Sequence, residues 1–109
     1  MPYNEQIEIG IKKIISSWEN TDHKNMFGGV CHLLNGNMFC GVYKDFLILR
    51  LGEENGNKAL ALPHVRPFDI TGKPMKGWVM VEQDGFQADH DLASWLNQAK
   101  EFVSSLPPK

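Results

Sequence analysis

The stretch MFGGVCHLLNGNMFCGVYKDFLILRLG (Met26–Gly52) decides the fold. It reads as three β-strands joined by two tight turns. Asn35-Gly36 is a strong two-residue hairpin signal, because a type I′ turn needs φ > 0 at both central positions. A turn centred there pairs Leu34 with Asn37, Leu33 with Met38, His32 with Phe39 and Cys31 with Cys40. Lys44-Asp45 supplies a weaker turn of the same length. It pairs Tyr43 with Phe46, Val42 with Leu47, Cys40 with Leu49 and Met38 with Leu51. Side chains alternate across a strand, so one face collects Phe27, Gly29, Cys31, Leu33, Met38, Cys40, Val42, Leu47, Leu49 and Leu51. That face is almost wholly apolar and is expected to be core. The other face collects Val30, His32, Leu34, Phe39, Gly41, Tyr43, Phe46, Ile48 and Arg50. It is mixed, yet too apolar to be simply solvated. A slip of one residue would carry the polar positions inside, so the two turns support a single register.

Helical patterns flank this stretch. Ile7, Ile11, Ile14, Ile15 and Trp18 fall on one stripe, which predicts a helix over Asn4 to Trp18 with Asn4 as its N-cap. The polar segment Glu19 to Asn25 reads as a link to the sheet. Beyond Gly52, Glu53 to Asn57 reads as a turn and Lys58 to Leu62 as a short helix ended by Pro63. Phe68 to Thr71 is a candidate strand at an edge, since Pro67 cannot donate to a ladder. Thr71-Gly72-Lys73-Pro74 is a turn cluster, and Gly77 to Glu82 is a strand. The stripe Leu92, Trp95, Leu96, Ala99, Phe102, Val103 and Leu106 predicts a helix over Asp89 to Ser105. The order is α-β-β-β-α-β-β-α, an α+β architecture with helices packed on an antiparallel sheet.

Composition narrows the function classes. The 109 residues suit one domain spanning residues 1–109, with one core. Hydrophobic residues at 42% and charged residues at 22% are ordinary for a globular chain. A formal net charge of −2 lacks the basic footprint of a nucleic-acid binder, so direct nucleic-acid binding is not expected. No apolar run approaches the roughly 20 residues that span a bilayer. The start MPYNEQIEIG is polar and acidic rather than signal-like, and a cytoplasmic location is expected.

Sequence motifs offer little chemistry. The two cysteines do not make a disulfide framework. The register sets Cys31 opposite Cys40, compatible with a redox switch, but two small core residues in a reducing compartment explain the pair better. Cys31 and His32 point to opposite faces and cannot share a proton. His23, His32, His64 and His90 are scattered, none at zinc-ligand spacing, and no metal or cofactor is expected. Asp89, His90 and Asp91 suit a helix start, where acidic groups complement the dipole. Gly28-Gly29 precedes no helix, so it marks a bulge or a close backbone approach rather than a phosphate loop. With no nucleophile–base pair visible, no catalytic residue is assigned.

The segment HVRPFDITGKPMKGW (His64–Trp78) is the best candidate for a working surface. Arg66, Lys73 and Lys76 stand there with a single acid, Asp69, among prolines that stiffen the backbone. The following stretch, Glu82 to Asp91, is acidic, and such asymmetry steers an anionic partner. Arg50 projects from the central strand next to Phe39, where a cation–π contact is available. The candidate interaction surface is therefore Arg50, His64, Arg66, Lys73 and Lys76. The second face of Leu34, Phe39, Tyr43, Phe46 and Ile48 calls for cover by a helix or by a second copy of the chain, so a homodimer is an expectation.

The succession MFGG, a turn at NG, MFCGV, a strand ending LRLG, then RPFDITGKPMKGWVMV and a terminal amphipathic helix resembles the TfoX N-terminal domain family, also called Sxy-like. The resemblance spans nearly the whole chain. It implies an α+β fold like that of secretion-chaperone-like domains. Full-length members resemble bacterial regulators of natural competence that act with a cyclic-AMP-responsive transcription factor and carry a second, C-terminal domain. A non-enzymatic regulatory or interaction module with a protein partner, such as a transcription regulator, is the implied function. The alternative is a small-molecule or anion-binding protein using Arg66, Lys73 and Lys76.

Overall fold

A computed structural model describes residues 3–26, 28–69 and 72–108. The chain runs α1 (Glu5–Ile15), β1 (Thr21–Met26), β2 (Gly29–Leu34), β3 (Asn37–Tyr43), β4 (Phe46–Arg50), α2 (Glu53–Leu60), β5 (Val65–Pro67), β6 (Trp78–Val81) and α3 (Asp89–Ser104), with a short 3-10 turn at Gln83–Gly85. The expected α+β order holds, with one further strand at the start of the sheet. Thr21–Met26, read as a polar link, forms β1. As an edge strand it has no need of an apolar pattern, and charged residues on an edge discourage pairing with other chains.

The strands form one six-stranded sheet in the order β1-β2-β3-β4-β6-β5, and every pairing is antiparallel. Asn35 and Gly36 take φ of 54° and 84°, as the type I′ reading requires. The Lys44-Asp45 turn also holds, pairing Tyr43 with Phe46, Val42 with Leu47 and Cys40 with Leu49. The register between β2 and β3 departs from expectation. It shifts between His32 and Leu33, so that Leu33 pairs with Met38 but His32 pairs with Cys40 and Cys31 with Gly41. Phe39 is the extra residue of a β-bulge.

The bulge exchanges the faces of β2. Val30 and Leu34, expected on the second face, join Cys40, Val42, Leu47, Leu49 and Leu51 in the main core, as does Phe39. His32 also turns to that side, toward α1. Cys31 therefore faces away from Cys40, and the expected cross-strand thiol pair does not form; both cysteines are free and buried. Phe27, expected in the core, lies outside the described residues. Gly29 is a position of close backbone approach: a Cβ there would sit in the carbonyl oxygen of Val42.

All three helices pack on the same side of the sheet. α1 contributes Ile7, Ile11 and Ile15, α2 contributes Ala59, and α3 contributes Leu92, Trp95, Leu96, Ala99 and Val103. Asn4 caps α1 by accepting a bond from the Gln6 backbone N–H at 2.9 Å. The helix stops at Ile15, short of the expected Trp18, whose ring instead stacks on Phe39 with centroids 5.6 Å apart. α2 begins at Glu53, where a turn was expected. Its two first-turn glutamates favour a helix N-terminus, and Gly56 lets the helix approach the Gly77 backbone, where a Cβ would stand 3.2 Å from the Gly77 Cα. β5 is Val65–Pro67 rather than Phe68–Thr71. Phe68 and Asp69 lie outside any strand, and Ile70 and Thr71 are outside the described residues.

Candidate functional site

The second face of the sheet gathers most of the sequence-predicted surface. Register fixes who stands there. Arg50 pairs with Trp78, Ile48 with Met80, and Met80 with Arg66, so these five side chains rise from one face. Ile48, Phe68 and Met80 are buried in a small cluster, with Met38, Tyr43, Phe46 and Trp78 half-buried around it. Phe68 folds over the face and stacks on Trp78 with centroids 5.7 Å apart. Trp78 is thus a second-face residue, not a member of the main core.

Cations lie on aromatic rings of this face and, for Arg50, also on a ring of α3. The Arg50 guanidinium sits 5.4 Å from the Trp78 centroid and 5.8 Å from that of Phe102. The expected neighbour, Phe39, is displaced into the main core by the bulge. The Arg66 guanidinium sits 5.8 Å from the Phe46 centroid, and the Lys44 ammonium 5.4 Å from that of Tyr43. Such contacts are worth roughly 0.5–1 kcal/mol each when exposed. Among the described residues, no carboxylate lies within ion-pair reach of Arg50 or Arg66.

The other predicted residues are dispersed. Lys76 reaches Glu53 at the start of α2 with a 3.9 Å separation, a weak exposed pair. Lys73 is exposed in the turn after Gly72. His64 is exposed with φ of 68°, and its carbonyl accepts a bond from the Glu82 backbone N–H at 2.8 Å, so its place is that of a turn residue. The structure therefore joins Arg50 and Arg66 with the aromatic face and leaves Lys73, Lys76 and His64 outside that contact set.

A second polar site lies on the opposite side, inside the main core. Glu8 of α1 and His32 of β2 are both buried, and Oε1 of Glu8 lies 2.6 Å from Nε2 of His32. Lys12, one helical turn on from Glu8, approaches the other carboxylate oxygen at 3.9 Å. Burial pushes the Cys40 thiol well above its ordinary pKa, and the nearby Glu8 and then Cys31 add to the effect; burial alone raises Cys31. Neither thiol is therefore a ready thiolate. Sequence reading missed the Glu8–His32 pair because Glu8 stands between apolar positions on α1 and because the bulge that turns His32 inward leaves no sequence signal. Among the described residues, no group of three or more His, Cys, Asp and Glu side chains converges as a metal cluster would.

The fold defines an α+β domain: one antiparallel sheet, three helices on one face, and an aromatic face with arginines on the other. The chain belongs to the TfoX N-terminal domain family, whose model matches residues 13–103. No curated protein and no solved structure matches the chain. Among the described residues, no helix is long and apolar enough to cross a membrane.

Proposed function

We propose that this domain is a non-enzymatic regulatory module that captures a protein partner across the second face of its sheet. One observation carries the reading: Arg50 and Arg66 rest on aromatic rings on the face opposite the helices, with no carboxylate in ion-pair reach among the described residues. Half-buried Met38, Tyr43, Phe46 and Trp78 share that face, packed against buried Ile48, Phe68 and Met80. Aromatic and arginine side chains are the usual anchors of protein interfaces. A partner of matching chemistry offers an acidic segment with an apolar anchor. Membership of the TfoX N-terminal family supports a competence-related regulatory role, and a bacterial transcription regulator is the partner class to test first.

The test is capture of such a regulator, in purified form, by the immobilised domain. Arg66→Glu should remove capture while leaving the melting temperature nearly unchanged, since exposed substitutions rarely move stability. Capture should also weaken at high salt. Capture that survives both changes overturns the assignment of this face. Thermal stabilisation by millimolar phosphate or citrate, with no protein captured, assigns the face to small anions instead.

A further inference from the structure

A recess of about 410 Å³ opens between α1 and the β1–β2 hairpin, on the helix side of the sheet. Lys12, Ser16, Thr21, Asp22, His23 and His32 line it. His23 and His32 are direct Cα partners across β1 and β2, so their side chains leave the same face side by side. Their ring centroids are 6.1 Å apart.

The state of the His32 ring is set from behind. Its Nε2 meets the Glu8 carboxylate at 2.6 Å; a carboxylate accepts, so Nε2 carries an N–H, and in the tautomer that binds a metal ion Nδ1 holds the lone pair. Among the described residues Nδ1 has no hydrogen-bond partner, yet no buried polar side-chain atom is left unsatisfied. With Nε2 held by Glu8, Nδ1 is the ring nitrogen left to face the recess that His32 lines. A side chain only 2% exposed thus presents one free basic nitrogen to a polar recess, beside an exposed second imidazole.

We infer that His23 and His32 form a two-histidine site for a divalent transition-metal ion, with Glu8 orienting His32. A carboxylate accepting the far N–H of a ligating histidine is the usual arrangement around protein-bound metals. Two imidazoles that share an ion at about 2.1 Å from each nitrogen and at a tetrahedral angle hold their centroids roughly 5.3 Å apart, so a small rotation of the exposed His23 ring closes the observed 6.1 Å. Glu8 and Asp22 outweigh Lys12, so the local charge favours a cation. Water completes the coordination, because no third protein ligand converges among the described residues. Imidazole ligands suit copper(II), nickel(II) and zinc(II), with copper(II) the tightest. The bound ion ties the edge strand β1 to β2 and, through Glu8, to α1.

The full chain titrated with CuCl2 and separately with ZnCl2 tests this, read by calorimetry, thermal melting and, for copper, electron paramagnetic resonance. One equivalent should bind, raise the melting temperature and show nitrogen ligation. His23→Ala should melt like the wild type without metal, lose the metal-induced rise and weaken binding at least ten-fold. Glu8→Gln should weaken binding by about ten- to hundred-fold. His64→Ala with His90→Ala should bind as the wild type does. The inference is overturned if His23→Ala titrates like the wild type, if the His64/His90 variant loses the site, or if neither metal shifts the melt.

Discussion

Glu8 of α1 and His32 of β2 meet at 2.6 Å, both buried against the apolar core. The contact joins the first helix to the centre of the β2–β3 hairpin. Glu8→Leu would leave the Nε2–H of His32 without an acceptor in that core. An unsatisfied buried donor costs about 1–3 kcal/mol, and urea denaturation should show a loss of that size. Glu8→Gln keeps a carbonyl oxygen in place and should recover part of it. Equal stability of Glu8→Leu and the wild type would mean that His32 finds another partner.

Phe39 should be among the most costly side chains to truncate. It is fully buried, and its bulge position is what lets Val30, His32 and Leu34 turn to the helix side. Phe39→Ala removes the stack on Trp18 and leaves a cavity, for an expected loss of about 3–5 kcal/mol. Deleting Phe39 would remove the bulge and the stack on Trp18 together, leaving His32 opposite Cys40 and Cys31 opposite Gly41. That variant should fail to give the wild-type near-ultraviolet dichroism, which reports fixed aromatic packing.

The bulge also marks the limit of what the sequence reveals. The Asn35-Gly36 and Lys44-Asp45 turns are local chemistry, and both strands they join come out in the expected pairing near each turn. The stripes of α1 and α3 are equally local and are buried where the periodicity puts them. A bulge depends instead on how a whole sheet twists against its helices, and no residue in MFCG announces it. From that single inserted residue follow the misplaced faces of β2, the separated thiols and the unforeseen Glu8–His32 contact. Of the candidate surface, Arg50 and Arg66 were legible as charges in strands. Their grouping with Trp78 and Phe46 was not, because it rests on the non-local β4–β6–β5 pairing.

Cys31 and Cys40 should resist both alkylation and mutual oxidation in the native protein. They lie on opposite faces, and burial holds both thiols protonated above the ordinary value of 9.0. A raised folded pKa contributes stability that is fully present below the unfolded thiol value. It is lost as pH climbs from about 9 toward the folded values, since only the unfolded chain then gains by ionising. Denaturation midpoints should therefore fall above pH 9, and Cys40→Ala should show a smaller fall than the wild type. Rapid labelling of Cys40 at pH 7 by a thiol reagent would contradict its burial.

Gly29→Ala tests the closeness of β2 to β3. The added methyl would strike the Val42 carbonyl oxygen, which is backbone and cannot swing away. Overpacking of this kind costs about 1–3 kcal/mol, so the melting temperature should drop by several degrees. An unchanged melt would show that the strand ends separate without penalty.

Arg50 and Arg66 share the second face but should differ in what they do for the fold. Arg50 is half-buried between the rings of Trp78 and Phe102, so its stem and guanidinium join the sheet face to α3. Arg66 is exposed on the edge strand β5 and touches one ring, Phe46. Arg50→Ala loses two ring contacts and the packing of its methylenes, an expected loss of about 1–2 kcal/mol. Arg66→Ala should stay within about 0.5 kcal/mol of the wild type. Partner capture should separate from stability in the opposite way. Arg66→Ala should weaken capture with the fold intact, and Arg50→Lys, which keeps the charge but not the planar stack, should weaken it as well. Were Arg66→Ala the more destabilising of the two, Arg66 would be a structural residue and the recognition role would pass to Arg50 alone.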